Sequence, residues 1–171
     1  MDTETRRNSI AKTIRNARAP ISATVLAQKF NVSRQIIVGD IALLRAEGVE
    51  ILATPKGYIL ESIGTQDHIY IGTIAVQHDT EGTRGEMYII VDHGGTVMDV
   101  TVEHTLYGQL SGQLNISSRI EVDEFCEKIA QPDVKPLSDL TGGIHIHRIG
   151  CASRDIFEKI STALDQAGYL I

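Results

Sequence analysis

ISATVLAQKFNVSRQIIVGDIALLRAE, Ile21 to Glu47, reads as two helices joined by a tight turn. Ser22 is placed to cap a short helix through Val25, Leu26 and Phe30, because a serine oxygen there accepts from otherwise unpaired backbone N–H groups. Asn31 tolerates left-handed backbone angles and suits the turn. Ser33 caps the second helix. Within it Ile36, Ile37, Ile41 and Leu44 recur at helical spacing and are expected to face a core. Arg34, Gln35 and Val38 fall on the other side, near the N-terminus, where a recognition helix touches base edges. Arginine can grip guanine in bidentate fashion, glutamine can do so for adenine, and Val38 suits a thymine methyl group. An ordinary helical hairpin with a solvated polar side has the same period. The next ten residues of interest favour DNA binding. Ile51 and Leu52 read as a strand, Pro55-Lys56-Gly57 as a turn, and Tyr58-Ile59-Leu60 as a returning strand, with Lys56 at the tip to meet a phosphate. This is the pattern of a winged helix-turn-helix.

Upstream, Thr3 to Ala19 reads as a first helix, with Ile10 and Ile14 one turn apart and Pro20 at its end. Asp40 lies beside the apolar stripe of the later helix, where a structural contact with an arginine or an N–H group is expected. The charge supports the division of labour. The chain of 171 residues carries −6 overall, but residues 1–60 hold nine basic and five acidic groups, a net +4. Residues 61–171 hold seven basic and seventeen acidic groups, a net −10. Only the first half is suited to phosphate. Cys126 and Cys151 are too few and too isolated for a disulfide framework or a thiolate metal site, and suit a reducing compartment. No apolar run near the N-terminus is long enough for a signal peptide or a membrane span, so a cytoplasmic protein is expected.

Glu61 to Asp67 lacks an apolar pattern and reads as a linker, giving domains 1–61 and 62–171. The second domain is expected to run strand (about Ile69 to Gln77), loop or helix start (Asp79 to Gly82), helix (Arg84 to Asp92) and a glycine stop at His93-Gly94-Gly95. Then come strands over Val97 to Val102 and Tyr107 to Ile116, the latter interrupted at Gly112, and a helix from Ser118 or Asp123 to Ile129. Val134 to Gly143 reads as a loop, Ile144 to Ile149 as a strand and Ser153 to Ala167 as the last helix, capped by Gly168. Intermixed strands and helices predict an α+β fold, a winged helix-turn-helix followed by an α/β sandwich with helices on one face of its sheet.

GGIHIHRIG, Gly142 to Gly150, carries the chemistry of the second half. His145 and His147 are two apart on the expected strand and leave the same face. Ile144 and Ile146 leave the other, which is expected to be the packed one. Paired imidazoles suit a shared zinc, nickel or iron ion, although two histidines on an exposed strand would give the same spacing. Further ligands would come from elsewhere: His78 closes a strand and Glu86 lies eight residues on, in the next helix. His68, His93 and His104 read as linker, helix-cap and strand-end residues. Arg148 should point away from His147.

The succession of VSRQIIVGDIALLRAEG, a PKGY wing, HDTEGTRGEMYIIVDHGG, VEHTLYG and GGIHIHRIG resembles the three-histidine (3H) domain family. Within it, the chain resembles the NiaR/YrxA-type niacin-responsive transcriptional repressors, from about Arg6 to Leu170. The resemblance implies a metal-binding domain fused to a DNA-binding one, with His78, Glu86, His145 and His147 as the ligand set. It further implies nicotinic acid as co-repressor of NAD biosynthesis or niacin uptake genes. Nothing in the composition or periodicity points to niacin. Two recognition helices reading half-sites about one DNA turn apart imply a homodimer. A metal sensor without organic effector keeps the same DNA module. A metalloenzyme with Glu86 as general base is the remaining alternative, and it would leave the basic winged helix idle.

Overall fold

A computed structural model describes residues 2–60 and 70–171. The chain divides into two compact units, Met1–Gln66 and Asp67–Ile171. The expected linker, the boundary between 61 and 62, His68 and the first residue of the expected strand at Ile69 lie outside the described residues.

The first unit packs three helices, α1 (Thr3–Arg15), α2 (Ala23–Phe30) and α3 (Arg34–Ala46), with a hairpin of β1 (Ile51–Thr54) and β2 (Gly57–Leu60). Asp2, Ser22 and Ser33 cap the helices through their side-chain oxygens, and Asn31 ends α2 in the left-handed region at φ 52°. Helix α1 stops at Arg15, four residues before the expected end at Ala19. Ile14 is its last buried residue, and the chain must turn there so that Ile21 can pair with Tyr58 through N–H···O bonds of 2.9 and 2.8 Å. The core is Ile10, Ile14, Leu26, Ile37, Ile41, Leu44 and Ile51. Ile36, expected among them, is 42% exposed. It lies about 100° around the helix from Ile37, so the stripe that Ile37, Ile41 and Leu44 bury passes beside it. Asp40 is buried and accepts from the Arg6 guanidinium at 2.7 and 3.2 Å. Gly57, at φ 134°, is required: a Cβ there would lie 2.3 Å from the Ile21 carbonyl.

The second unit is a four-stranded antiparallel sheet in the order β3-β6-β4-β5, built from β3 (Tyr70–Gln77), β4 (Thr96–His104), β5 (Gly108–Ile116) and β6 (Ile144–Cys151). Helices α4 (Gly82–Asp92), α5 (Arg119–Ile129) and α6 (Arg154–Gln166) supply Met87, Ile90, Val122, Ile160 and Leu164 to one sheet face. That face presents Ile74, Val76, Val97, Leu114, Ile116 and Ile149. Some boundaries fall on an expected alternative and others differ. Helix α4 starts at Gly82, within the stretch read as loop or helix start, and Asp79 Oδ1 accepts from Gly82 N at 3.1 Å. Helix α5 starts after Ser118, the first of its two expected starts, whose oxygen accepts from Glu121 N. Strand β5 runs unbroken through Gly112, which pairs with Val100. The expected loop Val134 to Gly143 contains a 3-10 helix, Leu137–Thr141.

The main correction concerns β6. Its packed face is that of His145 and His147, both buried, whereas Ile144 is 44% exposed. Register explains this. Ile74 pairs with His147 and Val76 with His145. Directly opposed residues of an antiparallel pair share a face. The histidines therefore lie on the side where β3 buries Ile74 and Val76. Arg148 points to the other side, as expected, and pairs there with Asp99. Among the described residues no helix is long and apolar enough to cross a membrane.

Candidate metal centre and nucleic-acid interface

Three elements converge on one buried carboxylate. Strand β3 ends at Gln77, and His78 follows it, crossing over the start of α4. Gly82 makes the crossing possible, since a Cβ there would lie 2.8 Å from the His78 side chain. One turn on, Glu86 points inward and is 0% exposed. Strand β6 brings His145 and His147 to the same point. Glu86 Oε2 lies 2.7 Å from His78 Nε2 and 3.6 Å from His145 Nε2, and Oε1 lies 3.4 Å from His147 Nε2. The rings of His78 and His145, and of His145 and His147, stand nearly perpendicular with centroids 4.8 Å apart. Ligand atoms of His78, Glu86 and His145 all lie within 4.8 Å of one another.

Each imidazole is oriented from behind. His78 Nδ1 bonds the Asp79 carbonyl at 2.6 Å, His145 Nδ1 the Gly143 carbonyl at 2.8 Å and His147 Nδ1 the Asp99 carbonyl at 2.5 Å. A carbonyl only accepts, so each Nδ1 carries a proton and each Nε2 faces Glu86; a carboxylate also only accepts, so the 2.7 Å contact is a hydrogen bond donated by His78 Nε2. This is how metal-ligating histidines are commonly held. Burial by itself would push the Glu86 carboxyl up, but the imidazoles, His147 foremost, hold it well below the usual carboxylate range. Burial pulls His78 and His147 down, and the nearby Glu86 charge and hydrogen bonds outweigh it, so both sit above the usual imidazole value.

The cluster fits a metal on its own geometry. Glu86 Oε1 and His147 Nε2 are buried and neither makes a hydrogen bond. An anionic oxygen and an imidazole nitrogen left without hydrogen bonds are costly to bury together, and a cation would satisfy both. Three neutral imidazoles and a carboxylate suit a divalent transition ion. The structure thus brings together all four expected residues. His93 and His104 lie outside the cluster. His93 caps its own helix on the Ile89 carbonyl at 2.7 Å, and His104 accepts from the N–H groups of Leu106 and Tyr107.

Other contributors were not legible in sequence. The Asp99 carbonyl reaches His147 from β4, 48 residues away. Gly143, at φ 91°, carries a carbonyl that accepts from both His78 N and His145 Nδ1. The Gly-Gly pair before the histidines was the available signal. Tyr169 places its ring edge-on to His78 at 5.3 Å. Gly85 leaves room for the Tyr169 hydroxyl, which would lie 2.3 Å from any Cβ there. A cavity of about 250 Å³ opens beside the cluster and is bordered by Glu86, His145 and His147.

In the first unit, Ser33, Arg34, Gln35 and Val38 are all exposed on the first turns of α3, and Lys56 is exposed in the hairpin turn. Ser33 Oγ accepts from Ile36 N at 3.3 Å as the helix cap, which leaves its hydroxyl proton and the helix N-terminus available to an anion. The Thr54 hydroxyl donates to the Gly57 carbonyl at 3.0 Å and accepts from Lys56 N at 3.2 Å, shaping the turn.

A family model described as "3H domain" matches residues 71–171, and one described as "HTH domain" matches residues 6–59. The chain is 38% identical over 167 residues to "Transcription repressor NadR" of Bacillus subtilis (strain 168), covering 97% of this chain and 93% of that one. It is 37% identical over 166 residues to "Probable transcription repressor NiaR" of Thermotoga maritima, with the same coverage.

Proposed function

Because the chain belongs to the 3H-domain family of NadR/NiaR transcription repressors, we propose that it represses NAD biosynthesis or niacin uptake genes as a homodimer, with nicotinic acid as co-repressor. Its regulatory domain, 62–171, holds a nickel, zinc or iron ion through His78, Glu86, His145 and His147. Its DNA-binding domain, 1–61, reads the operator with Ser33, Arg34, Gln35 and Val38 and grips a phosphate with Lys56. The related chains are transcription repressors, not enzymes, and the cluster is read as a sensor rather than a catalytic centre.

The observation that carries the regulatory part is the buried pair of Glu86 Oε1 and His147 Nε2 without hydrogen-bond partners, at the edge of a cavity. A bound metal would supply a Lewis-acidic position for a pyridine nitrogen or a carboxylate. The residues of this chain do the rest. The three Nδ1–H groups fix the rings, Glu86 offsets the metal charge, and the apolar surroundings exclude water. Nicotinic acid raises DNA affinity only in so far as it binds the DNA-competent state better than the other.

The test is binding of the purified protein to its own upstream region, with and without nicotinic acid, on metal-loaded and chelator-stripped samples at one salt concentration. Tightening by nicotinic acid that requires metal is the expected result. Metal alone sufficing would make the protein a metal sensor, and no effect of either would overturn the reading. The double replacement Arg34→Ala, Gln35→Ala should lose operator binding by roughly tenfold or more while metal binding persists.

A further inference from the structure

The cavity beside the metal cluster has features that the metal by itself does not explain. It holds about 250 Å³ and is largely apolar. Its buried side carries Glu86, His145 and His147 together with Met87 and Leu114, and half-buried Phe125 adds an aromatic wall. The stretch from Val134 to Ser138, between α5 and the 3-10 helix, forms another wall. Lys135 belongs to that wall and is exposed, so it stands at the mouth. Among the described lining residues it is the only lysine or arginine.

Size and charge together limit what fits. Sites for drug-sized ligands span roughly 300–1,000 Å³, so this one suits a single small ring and has no room for a dinucleotide. A phosphate ester calls for an arginine fork or several cations, whereas one ammonium matches one negative charge. Apolar walls favour a hydrocarbon-like body, and Met87 and Phe125 suit an aromatic face.

We infer that Lys135 is a specificity-determining residue of this cavity: it makes the site selective for a small aromatic monocarboxylate over the corresponding amide and over nucleotide forms. This rests on the reading that a small effector enters the metal-containing domain. An amide presents no charge to Lys135, so it forgoes the charge-assisted hydrogen bond that the acid gains. Lys135 makes none of the hydrogen bonds that orient the candidate metal ligands, so replacing it tests anion recognition without dismantling the cluster.

The experiment is calorimetric titration of the metal-loaded full chain with nicotinic acid, nicotinamide and benzoate. The wild type should prefer both acids over the amide. Lys135→Met should keep its metal stoichiometry and thermal midpoint, lose roughly tenfold to a hundredfold in affinity for the acids, and bind the amide as before. Lys135→Arg should retain most of the acid preference. Gly112→Leu gives a second handle. A Cβ at Gly112 meets nothing nearer than 3.7 Å, and the longer side chain would occupy the cavity that Gly112 borders, so acid and amide should both lose affinity with metal retained. Unchanged acid binding in Lys135→Met overturns the inference. Should the wild type bind benzoate in a Lys135-dependent way but not nicotinic acid, the cavity inference stands and the niacin reading falls. Binding of no monocarboxylate at all overturns both.

Discussion

At the scale of single residues, the candidate site depends on backbone as much as on side chains. Gly143 shows why. Its carbonyl holds His145 by Nδ1 and His78 by the backbone N–H, and its φ of 91° and close approach to the His78 carbonyl exclude a side chain. Gly143→Ala should therefore cost about 2 kcal/mol or more in stability. It should also weaken metal binding roughly tenfold, because two ligands lose their orienting partner. Thermal scans with and without metal, and competition against a chromophoric chelator, measure both effects. Unchanged metal affinity would mean that the Gly143 carbonyl does not position the ligands. The four ligand candidates themselves were legible from residue type and family resemblance. Their meeting at one carboxylate was not, because nothing local says that a carboxylate on α4 ends within 3.6 Å of imidazoles on β6.

At the scale of elements, strand β6 is the instructive case. Its alternation of isoleucine and histidine invites burial of the isoleucines, and the structure buries the histidines instead. Two contrasting replacements test that assignment. Ile149→Ala removes a fully buried side chain on the histidine face and should cost about 2–5 kcal/mol. Ile144→Thr changes an exposed side chain on the opposite face and should stay within about 0.5 kcal/mol. Urea midpoints followed by circular dichroism decide it, and equal losses would mean that both faces are packed. Helices were more legible than strands throughout. Serine caps at Ser22, Ser33 and Ser153 mark their starts locally, and Asn31 and Gly168 sit at left-handed ends. The early end of α1 was not legible, because it follows from the pairing of Ile21 with Tyr58, 37 residues on.

At the scale of the whole molecule, charge is divided between a basic first unit and an acidic second one. DNA affinity should accordingly fall steeply with salt, as counterions are released from contacted phosphates. Lys56→Ala should weaken binding to any sequence and lessen the slope of log affinity against log salt by about 0.9. Measuring operator and unrelated DNA over a salt series checks this. A slope that stays the same would remove Lys56 from the phosphate contacts. Loss confined to the operator would instead make it a base-reading residue.

The sequence by itself determined what is local. Helix starts follow from side-chain oxygens that cap nearby N–H groups. The recognition helix follows from an apolar stripe with polar residues at its N-terminal end, and the candidate metal ligands follow from residue chemistry together with the family resemblance. Only the tertiary structure decided what depends on register and on distant partners. It set the strand order β3-β6-β4-β5, and it turned the histidine face inward by pairing it with Ile74 and Val76. It also brought Glu86 and Lys135 to the border of one cavity and set the Asp99 carbonyl behind His147. The physical reason is that capping and helical period act over a few residues. The face a strand buries is set by its neighbours in the sheet, which the chain reaches only after many tens of residues.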